Sequence, residues 1–154
     1  MASIFVAYDS KYGNTKLAAE TIAEGMRDVA GIETSVGYIK EVDMKHVAGY
    51  DILVLGAPNH MAKPSRTMMK FVHRLAKVDL KSKGVAVFGT YSGRVREPDR
   101  AVRKMEKILE KKLPKMVLTS PSLSVRVLGI EGPIFKEELP RCSDFGRRIA
   151  NQLK

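Results

Sequence analysis

The chain has 154 residues, 44% of them hydrophobic, and its 27 lysines and arginines outnumber 17 aspartates and glutamates to give a net charge of +10. That length buries one good core, so a single domain over residues 1–154 is expected. The sequence contains no 18-residue apolar run, which excludes a membrane-spanning helix, and its single cysteine, Cys142, excludes an internal disulfide, in keeping with a reducing cytoplasm.

Met1-Ala2-Ser3-Ile4 lacks the basic segment and long apolar stretch of an export signal. Ile4-Phe5-Val6-Ala7-Tyr8 is an apolar run of β-rich composition and reads as a buried strand. Behind it Leu17, Ala18, Thr21, Ile22, Met26 and Val29 recur at helical spacing, in a helix expected from Lys16. The joint between the two is Ser10-Lys11-Tyr12-Gly13-Asn14-Thr15. A glycine, two hydroxyls and an amide there suit a turn whose backbone N–H groups converge on an anion at the helix N-terminus, where the helix dipole adds attraction. Ser10 and Thr15 are candidate donors to phosphate oxygens. A nucleoside-triphosphate loop needs a lysine where this chain has Asn14, and Gly-x-Gly-x-x-Gly is absent. A single terminal phosphate is therefore favoured over ATP, GTP or NAD.

Further strands are expected at Thr34–Ile39, Ile52–Ala57 and Gly84–Thr90, with a fifth, less regular, at Met116–Leu118 continuing into Ser124–Leu128. Helices are expected within Glu41–Ala48, from Ser65 through Leu75, over Pro98–Leu113 and over Glu137–Leu153. Ile52-Leu53-Val54-Leu55 and Val85-Ala86-Val87-Phe88 are apolar without alternation, as parallel strands covered by helices on both faces are. Five alternating units make an α/β fold, a doubly wound five-stranded parallel sheet. In such a sheet Asp9–Asn14, Pro58–Ser65 and Tyr91–Glu97 leave from one carboxyl edge, where a ligand belongs. Cys142, beside Leu139, Phe145 and Ile149, reads as a small core residue of the last helix.

In these residues the chain resembles the flavodoxin family, whose first loop follows Ser/Thr-x-Thr-Gly-x-Thr; here Tyr12 replaces the middle hydroxyl. Tyr8 through Thr15, with Gly56-Ala57-Pro58 and Cys142-x-x-x-Gly146-Arg147-x-Ile149-Ala150, looks most like the flavodoxin domain of flavo-diiron proteins, and the likeness covers nearly the whole chain. The resemblance implies a flavodoxin-like three-layer sandwich of strand order 2-1-3-4-5, with FMN as cofactor. It implies that Ser10, Lys11, Tyr12, Gly13, Asn14 and Thr15 hold the FMN phosphate. It places the flavin ring between Pro58, Asn59, His60 and Met61 on one side and Thr90, Tyr91 and Gly93 on the other. Tyr91 is the stacking candidate, because an aromatic face covers the flat ring and keeps water from it. Backbone groups of Asn59, His60, Met61 and Gly93 are suited to the ring's polar edge. Each also has a plainer reading: Tyr91 resting on its own helix, His60 as an exposed loop histidine, Met61 capping the core, and Gly93 serving a turn. The second loop departs from the family, with no tryptophan in the chain and no glycine between Pro58 and Pro64.

Flavodoxins are usually acidic, whereas this chain is basic. Arg94, Arg96, Arg100, Arg103, Lys104, Lys107, Lys111, Lys112 and Lys115 run from the third loop along the fourth helix, relieved by Glu97, Asp99, Glu106 and Glu110. They form either a solvated helix face or a positive field that steers an acidic redox protein and, through Arg94 and Arg96, favours the anionic reduced flavin. No interleaved aromatics or nucleic-acid motif accompany them, so no dedicated nucleic-acid role is expected. His46, His60 and His73 lack ligand spacing, so neither a metal site nor the upstream metal domain of flavo-diiron enzymes is expected. The leading expectation is a small cytoplasmic FMN-binding electron carrier, monomeric or weakly dimeric, in which the cofactor carries the chemistry and no residue is catalytic. Two alternatives stand beside it. One is a flavin-dependent reductase or oxidase that holds a quinone, nicotinamide or porphyrin-like substrate with Arg94, Arg96 and Lys63. The other is a cofactor-free interaction or phosphate-sensing module.

Overall fold

The computed structural model describes residues 1–60, 63–92, 97–119, 121–129 and 131–153, and of His60 the backbone only. Strand β1 (Ala2–Tyr8) lies parallel to β2 (Ile32–Tyr38) on one side and to β3 (Ile52–His60) on the other. Strand β3 in turn pairs with β5 (Gly84–Ser92), also parallel, and β4 (Lys63–Pro64) folds back antiparallel on Asn59 and His60.

Beyond β5 the sheet is completed by two segments, β6 (Val117–Leu118) and β7 (Leu123–Val127), both parallel to β5. The order is therefore β2-β1-β3-β5 followed by the β6 and β7 position, the expected crossover pattern. The expectation of five strands is corrected to seven. Between the pairs Val85↔Leu118 and Phe88↔Leu123, two residues of β5 stand against four of its neighbour. Pro121 sits in that interval and has no N–H to give to the ladder, so the pairing breaks and resumes at Leu123.

Alternation along the strands sends successive side chains to opposite faces, even though the runs look uniformly apolar. Ile4, Val6, Val54, Ala86 and Phe88 face one core, shared with helices α1 (Asn14–Arg27) and α5 (Glu138–Asn151). Phe5, Ala7, Leu53, Leu55, Val85 and Val87 face the other, shared with α2 (Met44–Val47), α3 (Arg66–Leu75) and α4 (Arg100–Lys112). These two cores make the three layers. Cys142 is fully buried in the first.

Helix α1 packs on α5 almost backbone to backbone. A side chain on Gly25 would strike the carbonyl of Ser143, and one on Gly146 would strike that of Ile22. The buried face of α1 is accordingly built from Ala18, Ala19, Ile22, Ala23 and Met26. Leu17, which helical spacing includes with that face, is 43% exposed at the cleft end of the helix.

Candidate functional site

A cleft of about 290 Å³ opens at the carboxyl ends of β1, β3, β5 and β7. Volume does not single it out, since two other surface clefts are as large, at 270 and 290 Å³. Its position at the switch point, where β1 is flanked by crossovers in opposite directions, does. Ser10, Lys11, Tyr12, Asn14 and Thr15 line it from the first loop, Pro58 and Asn59 from β3, Thr90, Tyr91 and Ser92 from β5, and Val127 from β7.

The first loop turns sharply into α1 at Gly13, whose φ of 90° lies in the left-handed region that only glycine enters cheaply. Gly13 N–H donates to Ser10 Oγ at 3.0 Å, which leaves the Ser10 hydroxyl proton to donate elsewhere. Helix α1 has no side-chain cap and no acidic residue in its first turn, so its first N–H groups and dipole are available to an anion. Lys11 stands 5.4 Å from the centre of the Tyr12 ring, and both side chains are exposed. The Asn14 amide occupies the space where a side chain on residue 132 would stand, which packs the loop against the turn after β7.

Thr15 is 1% exposed, and its Oγ1 lies 2.9 Å from Thr90 Oγ1. This bond ties the first loop to the end of β5. Pro58 is the register partner of Thr90, which sets the second and third walls side by side. Asn59 Nδ2 is buried and has no hydrogen-bond partner among the described residues, while the same amide lies over Gly89 where no side chain intervenes. Tyr91 is half-buried and pairs in register with Arg126. Its hydroxyl is held above the ordinary value, first by desolvation and then by the charge of Glu138, so it stays a neutral donor at physiological pH.

Nine of the thirteen expected cofactor contacts thus line one cleft, and Gly13 shapes its loop. His60 continues β3 to the hairpin with β4. Met61, Gly93, Arg94 and Arg96 lie outside the described residues. Sequence reasoning missed Ser92 and Val127. Ser92 was within reach as the neighbour of Tyr91, whereas Val127 reaches the cleft only because β7 rejoins β5 beyond Pro121. Among the described residues, no group of three or more histidines, cysteines or carboxylates is arranged to hold a metal.

The donor set fits FMN: unpaired N–H groups and two hydroxyls at one end, an orphaned amide and a tyrosine at the other. A doubly wound α/β sandwich with a glycine-turned loop and an uncapped helix N-terminus at its switch point is the architecture of a class of mononucleotide-binding proteins. A flavodoxin-domain family profile matches residues 5–129. The flavodoxin of Aquifex aeolicus (strain VF5) is 37% identical over 71 residues, a match spanning 46% of this chain and 38% of that protein. The flavodoxin of Clostridium saccharobutylicum is 27% identical over 98% of this chain and 97% of its own length. Among solved structures, a flavodoxin from the domain Archaea superposes with a TM-score of 0.81 at 23% identity, covering 98% of each chain. The Flv1 flavodiiron core from Synechocystis does so with 0.77 at 18%, over 99% of this chain and 36% of that one, a likeness of fold. The chain belongs to the flavodoxin family, whose members bind FMN and transfer electrons between redox partners.

Proposed function

We propose that this chain works as a single-domain electron carrier whose FMN sits in the cleft at the ends of β1, β3 and β5. The observation that carries this reading is the convergence of the first loop and the carboxyl ends of β3, β5 and β7 on one cleft, with Thr15 hydrogen-bonded to Thr90 across it. Bound there, FMN supplies one-electron chemistry. The N–H groups of Asn14 and Thr15, with the hydroxyls of Ser10 and Thr15, bind its phosphate, and Lys11 adds positive charge nearby. Pro58, Asn59, His60 and Met61 flank one side of the ring, and Thr90, Tyr91 and Gly93 the other. Tyr91 covers the ring and excludes water, and Asn59 donates to its polar edge.

The partner in this reading is an acidic redox protein. Arg100, Lys104, Lys107 and Lys111 recur at the spacing of one helical face of α4, three of them exposed and Lys104 half-buried. Among the described residues the ion pair on this helix is Arg103 with Glu97, at 3.8 Å. The remaining cations are left to a partner's charge. Arg94 and Arg96, which the sequence places between Ser92 and α4, favour the anionic reduced cofactor and make its couple less negative. The carrier acts in a reducing cytoplasm as a monomer or weak homodimer.

The decisive experiment is titration of the purified protein with FMN and, separately, riboflavin, followed by flavin absorption and fluorescence. Tight FMN binding with much weaker riboflavin binding is expected. Equal affinities would remove the phosphate loop from the site, and no binding of either would leave a cofactor-free interaction module.

A further inference from the structure

Asp9 follows Tyr8 at the end of β1 and directly precedes the first loop. It is 8% exposed, and its backbone N–H donates to the carbonyl of Gly56 at 2.9 Å. Its side chain reaches the far end of the second loop, where Oδ2 accepts the Ser65 hydroxyl at 2.6 Å. Ser65 is 4% exposed; it uses its one proton on Asp9 and accepts Met68 N–H at 3.3 Å, capping α3. It also follows β4 directly, whose two residues pair with Asn59 and His60. A charge-assisted hydrogen bond shielded from water thus joins the start of the phosphate loop to the foot of the hairpin that carries the opposite wall.

We propose that Asp9 and Ser65 form a latch that sets the span between these two loops, so that the cleft selects a ligand carrying both a phosphate and a flat ring. Both are positioning residues, and the inference rests on the FMN site proposed above. A ligand held at two points gains from the second only when the spacing of the points matches it. FMN bridges both loops, whereas riboflavin engages the ring wall alone. Loosening the latch therefore costs FMN more than riboflavin. A mere loss of fold stability leaves the preference of the folded molecules unchanged.

The test measures FMN and riboflavin dissociation constants, together with melting temperature, for wild type, Ser65→Ala, Ser65→Thr, Asp9→Asn and Asp43→Ala. Asp43 is the control, a cap on α2 outside the cleft lining that accepts Lys45 N–H at 3.1 Å. The preference for FMN over riboflavin is expected to fall about tenfold in Ser65→Ala, less in Asp9→Asn, and to return in Ser65→Thr. The Asp9→Asn and Ser65→Ala double variant should lose no more than Ser65→Ala alone, because both remove one interaction. Asp43→Ala should lower the melting temperature and keep the preference. A Ser65→Ala protein that melts earlier yet keeps its preference overturns the latch and leaves the FMN site standing. A wild type with no preference overturns the site reading and the latch with it. If Ser65→Ala does not fold, the Asp9→Asn arm decides on the same criterion.

Discussion

Thr15 and Thr90, 75 residues apart in sequence, meet hydroxyl to hydroxyl at 2.9 Å in a buried position beneath the candidate phosphate loop. Each hydroxyl has one proton and two lone pairs, so the pair uses one proton between them and leaves one to donate onward. A phosphate oxygen over the loop is the natural acceptor. Thr15→Val keeps the shape of the side chain and removes that donor. It should weaken FMN binding about tenfold, the value of a charge-assisted hydrogen bond of about 1.4 kcal/mol, and leave riboflavin binding unchanged. Thr90→Val should cost about 1 kcal/mol of stability in a denaturant melt, with a smaller effect on FMN. Equal weakening of FMN and riboflavin by Thr15→Val would place the phosphate elsewhere.

Among the described residues the buried amide nitrogen of Asn59 has no partner, and an unpaired donor of this kind costs the apo-protein about 1–3 kcal/mol until a ligand pairs with it. Asn59→Ala should therefore weaken both FMN and riboflavin, since the contact is with the ring they share. The same change should leave apo-protein stability equal or slightly higher. Isothermal titration of both ligands, set beside melts of the ligand-free protein, reads both effects. An apo-protein clearly destabilised by Asn59→Ala would show that the amide has a structural partner.

Thr15, Thr90 and Asn59 mark how far local sequence signals carry. The loop from Ser10 to Thr15 is legible because an apolar strand, a glycine and a helical pattern meet within a few residues, all local signals. Thr15 and Thr90 are each legible as site residues, but their bond follows from the register of β1, β3 and β5, which periodicity does not reveal. The Asn59 amide lies over Gly89 on the neighbouring strand, a relationship across the sheet. The split of the last strand turns on Pro121, which reads as a breaker, yet the return of the chain to the same neighbour does not show in composition. Leu17 matches the helical period and is still exposed, which periodicity alone does not reveal.

The basic face of α4 yields a kinetic expectation. If it steers an acidic partner, the association rate with a negatively charged flavoprotein reductase should fall steeply as ionic strength rises from roughly 0.05 to 0.5 M, across which the Debye length shrinks severalfold. Lys104→Glu with Lys107→Glu and Lys111→Glu should slow association at low salt, flatten that dependence and leave FMN affinity unchanged. Stopped-flow kinetics at several salt concentrations separates this from a solvated face, for which the triple variant would behave as wild type.

The proposed role of Arg94 and Arg96 carries a separate expectation, for the potential. Replacing both by alanine should make the reduced couple more negative, with about 59 mV for each 1.4 kcal/mol of lost preference for the anionic form. Spectroelectrochemical titration reads the shift directly. An unchanged couple would confine the two arginines to partner contact or to solvent.

Asp51 contributes to the acid limb of stability. Its carboxylate accepts the Ser3 backbone N–H at 2.8 Å and the Ser3 hydroxyl at 3.2 Å, with Lys81 at 3.8 Å. The Ser3 backbone bond is the main reason its pKa lies below the ordinary 3.8; burial opposes the shift, while the Ser3 hydroxyl and Lys81 assist it. A carboxylate lowered in the folded state contributes stability above its unfolded pKa and loses it as pH falls through the folded value, because the unfolded chain binds the proton first. The loss therefore begins near pH 4 and continues below it. The side chain is 34% exposed, so solvent screening reduces the effect, and Asp51→Asn should cost about 1 kcal/mol at neutral pH. The variant should also show a shallower decline than wild type between pH 4 and pH 2, so that the two stability curves converge on acidification. Urea melts across that range decide it. Parallel curves would mean that the contacts between Asp51 and Ser3 hold the chain start to β3 without depending on the carboxylate's charge.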